Sequence, residues 1–341
     1  MKLKQSWLGF FLAAMIWSVP TQAKDAGLRI INTRDFVRCG TDLSTKTYAF
    51  KDKDKQWKGF DADLCRLFAL AVFGNSDKFE LVNVPATAIS AYLANGSIDI
   101  MLGNNALSAS AEIQNQATAV DVLYYDKQMF LAHPKENATS MEDYKGSNVC
   151  VVKNSEDMAN VNEYSRRYDL GLKLLTFGSM DLAKQAFFLN RCQLLSSNEI
   201  YLRGAADSVV SADMHLEILP EVITYRPVYA YVAKDNPTLR IIAKWLYNAP
   251  VLAEAHGITS KNVDVFIGVT ETSLRNLLGV DPQLWTAYGL QPEWVKKAVK
   301  ELGNYGEIYE RNLGADSEIK IERDKNKLIE NGGLIIAKPF L

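Results

Sequence analysis

The chain has 341 residues, 38 basic against 40 acidic side chains, four cysteines and three histidines. That length accommodates two domains, each large enough to bury its own core. The near-balanced charge removes the electrostatic ground for a nucleic-acid partner, and His133, His215 and His256 are too scattered for a metal site, so neither cofactor nor metal is expected.

In chain order, Lys2 and Lys4 precede an apolar run of 13 residues at 7–19, followed by Pro20, Thr21, Gln22 and Ala23. This is the layout of a secretory signal peptide over 1–23, cut after Ala23. The run falls short of the ~20 apolar residues that a bilayer-spanning helix requires. Cleavage removes Lys2 and Lys4, leaving 36 basic against 40 acidic residues and a net charge of −4. An exported, mildly acidic chain is the expectation.

Export turns the cysteines into a disulfide question. Cys39 follows the strand-like stretch 35–38, and Cys65 lies 26 positions later within a helical pattern. Cys150 sits in the apolar run 148–152, and Cys192 comes 42 positions on. Pairing within each half of the chain favours Cys39–Cys65 and Cys150–Cys192. Spacing alone leaves three connectivities open, and buried free thiols as well.

From residue 35 to 250, short apolar runs alternate with helical patterns. Leu64, Leu67, Phe68, Ala71 and Val72 share one helical face between strand-like 37–40 and 80–84. A helix over 86–95 stops at Asn95-Gly96 before an apolar run at 98–102. Further runs at 148–152, 172–177, 192–196 and 229–234 repeat the alternation, which reads as α/β with mainly parallel strands. The extended runs 128–133 and 228–233 bracket about one hundred residues. If both cross between lobes, the first lobe is 24–130 with 232–341 and the second is 131–231. The competing reading is a single large open sheet. After Gly257 the tail is helical and loop-rich, and its charged run 316–330 reads as a solvated helix and loop.

At Gly59-Phe60-Asp61-Ala62-Asp63-Leu64-Cys65-Arg66 the sequence resembles the type II periplasmic solute-binding proteins of amino-acid ABC importers, especially the general L-amino-acid binders. Similar stretches recur at 37–40, 149–151, 191–192, 219–223, 257–264, 303–314 and 331–334. The resemblance implies a two-lobed α/β clamp with two hinge strands, the two disulfides above, and a periplasmic location. It also implies a small-molecule ligand trapped by lobe closure and delivered to an ABC permease of the inner membrane, by a monomer that is not an enzyme.

The same resemblance locates the cleft. The family places a Thr and an Arg after the first-lobe strand and an acid in the second lobe, to take an amino acid's carboxylate and ammonium. Counted from Asp99, those positions hold Ala106 and Ala111, and the acid position holds Asn198. A Gly-Thr at the head of the first helix of the second lobe reads Asn154-Ser155. No arginine lies between Arg66 and Arg166. The candidate ligand-binding residues are therefore Tyr48, Asn104, Asn105, Ser108, Ser155 and Asn198, a set suited to an amino acid or a neutral analogue. Two alternatives remain: a sensory module on this fold with its cleft filled by its own side chains, and a dehydratase-like enzyme using Glu112 or Glu199.

Overall fold

The computed structural model describes residues 27–43, 48–103, 117–136, 138, 140–209 and 214–340. The signal-peptide expectation, together with Asn104, Asn105, Ala106, Ser108, Ala111 and Glu112, lies outside the described residues.

The first lobe is built on β1 (Val37–Thr41), flanked in parallel by β4 (Phe79–Asn83) and β5 (Ile100–Met101). A small hairpin of β2 (Phe50–Lys51) and β3 (Trp57–Lys58) leads into α2 (Phe60–Phe73), which follows α1 (Arg29–Arg34) in the chain. Nearly every residue of α2 is buried, including Phe60, Leu67 and Phe68. An apolar helix of this kind must be covered on all sides, and the second half of the chain supplies the cover. The helical expectation over 86–95 resolves into a 3₁₀ turn, Ala86–Ala88, and a short α3, Ile89–Ala94.

The second lobe repeats the plan around β7 (Asn148–Val152), parallel to β8 (Lys173–Phe177) and β9 (Leu194–Asn198). Helices α4 (Glu156–Arg167), α5 (Met180–Phe188) and α6 (Glu199–Asp207) follow these strands in turn. Each of the three is capped at its start by its own polar side chain, Ser155, Ser179 or Asn198.

Two long antiparallel strands join the lobes. They are β6 (Ala117–Ala132) and β11 (Thr224–Ala233), with the two-residue β10 (Glu217–Ile218) at the far end of β6. Both exceed the runs expected from sequence, and through them the strands form one nine-stranded sheet ordered β4-β1-β5-β11-β6-β9-β7-β8, with β10 beside β6. The single sheet and the two lobes are thus compatible, because the buried apolar side chains divide. Leu123, Tyr124, Val228 and Ala230 belong to the first core, whereas Met129 and Leu131 belong to the second.

The tail continues from α7 (Pro237–Ala255) through α8 (Thr272–Leu277), α9 (Gln283–Ala287), α10 (Trp294–Leu302) and α11 (Tyr305–Asn312). It covers α2, burying Trp285, Trp294 and Tyr309. Arg311 and Asn312 both bond the Asp63 carboxylate of α2 at 2.7 Å. The charged run 316–330 is more than the solvated segment expected. Its Asn326 is buried and clasps the crossing strand, accepting from the Tyr125 N–H at 2.6 Å and donating to the Tyr125 carbonyl at 2.9 Å. Pro227, which has no N–H to give, sits opposite Tyr125 in the sheet.

Each lobe holds one disulfide. Cys39–Cys65 joins β1 to α2, and Cys150–Cys192 joins β7 to the segment entering β9. They close loops of 26 and 42 residues. The chain-entropy model assigns such loops about 3.5 and 4 kcal/mol. Replacing Cys150 and Cys192 together by alanine is expected to lower the unfolding free energy by about 2–4 kcal/mol in urea titrations. A loss below about 0.5 kcal/mol would show that the second lobe does not depend on its staple.

Candidate functional site

The carboxyl ends of the parallel strands in both lobes converge on one region, the usual place for a ligand in open α/β sheets. From the first lobe come Thr41 at the end of β1, Gly103 just after β5, and Tyr48. From the second come Asn198 at the end of β9, and Asn154, Ser155 and Asp157 at the start of α4. Between them run the middle segments of β6 and β11, carrying Tyr124, Asp126, Gln128 and Arg226.

Tyr48 owes its place to Gly59. That glycine has φ +113°, and a Cβ on it would lie 2.4 Å from the Tyr48 carbonyl, so only glycine allows the chain to pass this closely. The same carbonyl accepts a bond from the Asp61 N–H in the first turn of α2 at 3.0 Å. Held there, Tyr48 is 1% exposed and its ring reaches the opposite lobe, where Asn198 Nδ2 donates to its hydroxyl at 3.2 Å. Asn198 is fully buried, and its Oδ1 accepts from the Tyr201 N–H at 3.1 Å, capping α6. Ile200, in the second lobe by sequence, packs into the first lobe's core. The lobes therefore touch through Tyr48, Asn198 and Ile200.

Beneath that contact lies a buried polar floor. Arg226 and Asp126 are directly opposite in the β6–β11 register and share one face of the sheet. Arg226 Nη1 donates to Asp157 Oδ1 at 3.0 Å, while its Nε is buried without a protein partner. Asp126 is 4% exposed; Oδ1 accepts from the Lys127 N–H at 2.8 Å, and Oδ2 is buried without a partner. Gln128 Nε2 donates to the Asp157 carbonyl at 3.0 Å and to Ser196 Oγ at 3.1 Å, and its Oε1 accepts from Asn160 at 2.8 Å. On the first-lobe side, the buried Asp61 carboxylate accepts from the Thr41 hydroxyl and the Gly103 N–H, with Oδ1 left unpartnered.

Leaving a buried polar atom without a partner costs about 1–3 kcal/mol, more when the group is charged. The floor carries this at Asp61, Asp126 and Arg226 together. Burial accordingly pushes Asp61 up to about 7, against the pull of its bonds to Thr41 and Gly103, with the Asp42 charge adding to the rise. Burial likewise raises Asp126 to about 6, and the Arg226 charge holds it back from rising further. Asp157 is raised by burial too, with Arg226 opposing.

The sequence-derived residues thus meet different fates. Tyr48 and Asn198 are brought together. Ser155 is occupied as a helix cap, its hydroxyl donating to the Val152 carbonyl at 2.7 Å and accepting from the Met158 N–H at 3.1 Å. Asn154, where the family resemblance expects glycine, adopts φ +59°, a left-handed conformation that asparagine tolerates better than most residues. Glu199 is paired with Lys127 at 2.9 Å and Arg203 at 2.6 Å, so its carboxylate is committed to salt bridges. Sequence reasoning did not bring Asp126, Asp157 and Arg226 to this region. For Asp126 and Arg226 the available signal was charge close to the apolar residues Tyr124 and Val228, which does not by itself pair them; Asp157 was read only as an acid in the first turn of a helix.

With the geometry established, comparison with known proteins decides the family. The model of the bacterial extracellular solute-binding proteins, family 3, matches residues 37–250. The chain belongs to that family. YhdW of Escherichia coli (strain K12) is 30% identical over 329 residues, 96% of each chain. The general L-amino acid-binding periplasmic protein AapJ of Rhizobium johnstonii is 29% identical over 340 residues, 99% of each. Among solved structures, an ABC transporter periplasmic binding protein from Brucella ovis with glutathione bound has a TM-score of 0.83 at 29% identity, covering 92% of this chain and 98% of that one. An ancestral arginine-binding protein, at 22% identity and TM-score 0.51, shares the fold. The fold is the type II two-lobed periplasmic-binding architecture, and the family consists of solute-binding proteins rather than enzymes. Among the described residues no helix is long and apolar enough to cross a membrane, and no cluster of potential metal ligands occurs.

The raised carboxylates make stability depend on pH. Unfolded, Asp61 titrates near 3.8; folded, near 7. Between those values the folded state holds a proton that the unfolded chain releases, so this contribution to stability is full below pH ~4 and declines as pH rises toward 7, by at most about 1.4 kcal/mol per pH unit. Asp61→Asn should remove that slope. The stability difference between parent and variant, from urea melts at pH 4.5, 6 and 7.5, is expected to shift against the parent with rising pH; a difference independent of pH would refute the assignment.

Proposed function

We propose that this chain is the periplasmic receptor of an amino-acid-type ABC importer and captures its solute between the two lobes. The observation that carries the reading is the polar layer between them, where Tyr48 of one lobe meets Asn198 of the other over the buried groups of the crossing strands. A solute enclosed there is removed from water while polar groups from both lobes and from the crossing strands surround it, which is how closure is coupled to occupancy.

Membership in the solute-binding family and the titles of its relatives support the solute class. AapJ is named for L-amino acids, and the Brucella ovis protein has glutathione bound. Ala106 and Ala111 stand where the resemblance expects threonine and arginine, so the contacts to the solute differ from the usual ones. The receptor is exported by the leader 1–23, acts as a monomer, and hands its solute to a permease in the inner membrane.

A ligand that binds only the folded state stabilises it by RT ln(1 + [L]/Kd), about 4 kcal/mol at a thousandfold excess over Kd. Thermal scans against the twenty amino acids, their amides, small peptides including glutathione, and polyamines are expected to show a rise in Tm for a narrow subset. Small-angle scattering should show no compound outside that subset altering the lobe arrangement. If no compound raises Tm, the transport reading fails and the sensory-module alternative, with Tyr48 and Asn198 filling the cleft, takes its place.

A further inference from the structure

We infer that the crossing strands themselves form the recognition site for a zwitterionic α-amino-acid head group, with Arg226 of β11 receiving the carboxylate and Asp126 of β6 receiving the ammonium. The inference rests on the receptor reading above and adds which residues read charge, and which charges they read.

Three observations carry it. First, Arg226 and Asp126 are register partners on adjacent antiparallel strands, so their side chains rise from the same face at neighbouring positions. Second, each presents one unsatisfied atom of opposite character: Nε of Arg226 needs an acceptor, and Oδ2 of Asp126 needs a donor. Third, other groups hold both side chains in place without using those atoms. Asp157 takes Arg226 Nη1, and the Lys127 N–H takes Asp126 Oδ1.

The chemistry then discriminates between solutes. A carboxylate without an amine satisfies Arg226 and leaves Asp126 orphaned. A polyamine satisfies Asp126 and leaves Arg226 orphaned. A head group carrying both charges on one carbon satisfies both, and a guanidinium gripped at Nη1 still offers its Nε edge to a carboxylate. This arrangement supplies from β11 the positive charge that the segment between Arg66 and Arg166 lacks in arginine. A free amino acid and the γ-glutamyl end of glutathione carry the same head group, so the site is assigned to that group and the two sources are separated by experiment.

The test is calorimetry on the full mature chain, freed of carried-over solute, with L-glutamine, glutathione and every amino acid that raises Tm. Each hit is compared with its α-carboxamide and its Nα-acetyl derivative. Parent protein is expected to bind the unmodified head group about 100-fold more tightly than either derivative. Arg226→Gln should bring the acid-to-amide ratio close to one while leaving the preference for a free amine, and Asp126→Asn should do the reverse. Arg226→Lys, which keeps the charge and loses the fork, should recover only part of the acid preference. Should Arg226→Gln fail to fold, Arg226→Lys is read in its place, and an acid-to-amide ratio unchanged from the parent in that variant overturns the assignment. Equal affinity of the parent for acid and amide overturns the inference and leaves the receptor reading intact, as does an Arg226→Gln variant with an unchanged ratio. Binding by the parent of polyamines or neutral amides alone also overturns it, while binding of nothing at all removes the receptor reading with it.

Discussion

The pairing of β6 with β11 is the constraint on which the rest of the molecule depends. These two strands connect the lobes inside one sheet, and the buried apolar side chains of β6 belong to first-lobe clusters up to Tyr124 and to second-lobe clusters from Met129. A strand that passes between two cores has a stretch belonging to neither. In that stretch side chains are free from the demand for apolar packing, and here it holds Asp126, Lys127, Gln128 and Arg226. The register sets Arg226 opposite Asp126, and a slip of β11 by one residue would turn Arg226 to the face opposite Asp126.

The tail secures the first-lobe side of this crossing. Asn326 takes both peptide groups of Tyr125, and Tyr305 donates its hydroxyl to the Leu123 carbonyl at 3.0 Å. Arg323 pairs with Glu254 of α7 at 2.6 Å and so holds the segment that carries Asn326 against the lobe. On the second-lobe side, β9 pairs with β6 only from Gln128 onward. Along this edge β6 is held at Tyr125 by the Asn326 side chain and from Gln128 by β9, while β11 pairs with Asp126 and Lys127 between them. The family match ends at residue 250, so the clasp comes from a part of the chain that the family model does not describe, yet AapJ and YhdW align across it.

Much of the fold was legible in the residues. Apolar pattern located β1, β4, β7 and β8 to within a residue or two, and the apolar face read over 64–72 falls inside α2. Export and lobe membership pointed to the two disulfides that the structure contains. The crossing strands were underestimated, since their central residues are polar and periodicity cannot see a strand that lies between cores. Asn326 was invisible for a related reason: in a charged run nothing distinguishes a residue that clasps a backbone 201 positions away from one that faces water. Tyr48 and Asn198 were reached through the family pattern. Asp126 and Arg226 belong to no motif, and only the register of two strands nearly one hundred residues apart puts them side by side.

Placing charge recognition on the crossing strands has a mechanical consequence. In a clamp whose carboxylate grip sits on one lobe and whose ammonium grip sits on the other, the head group is fully paired only after closure. In the assignment proposed above both grips, Arg226 and Asp126, lie on paired strands of the element that joins the lobes. On that assignment a zwitterion would be paired while the clamp is open, and closure through Tyr48, Asn198 and Ile200 would contribute desolvation and read the remainder of the solute. Affinity for the head group and discrimination among side chains would reside in different contacts, the first on the sheet and the second on the lobes. On the same assignment a solute would enter by satisfying buried charges already in position, and the energy of closure would be left to select its shape.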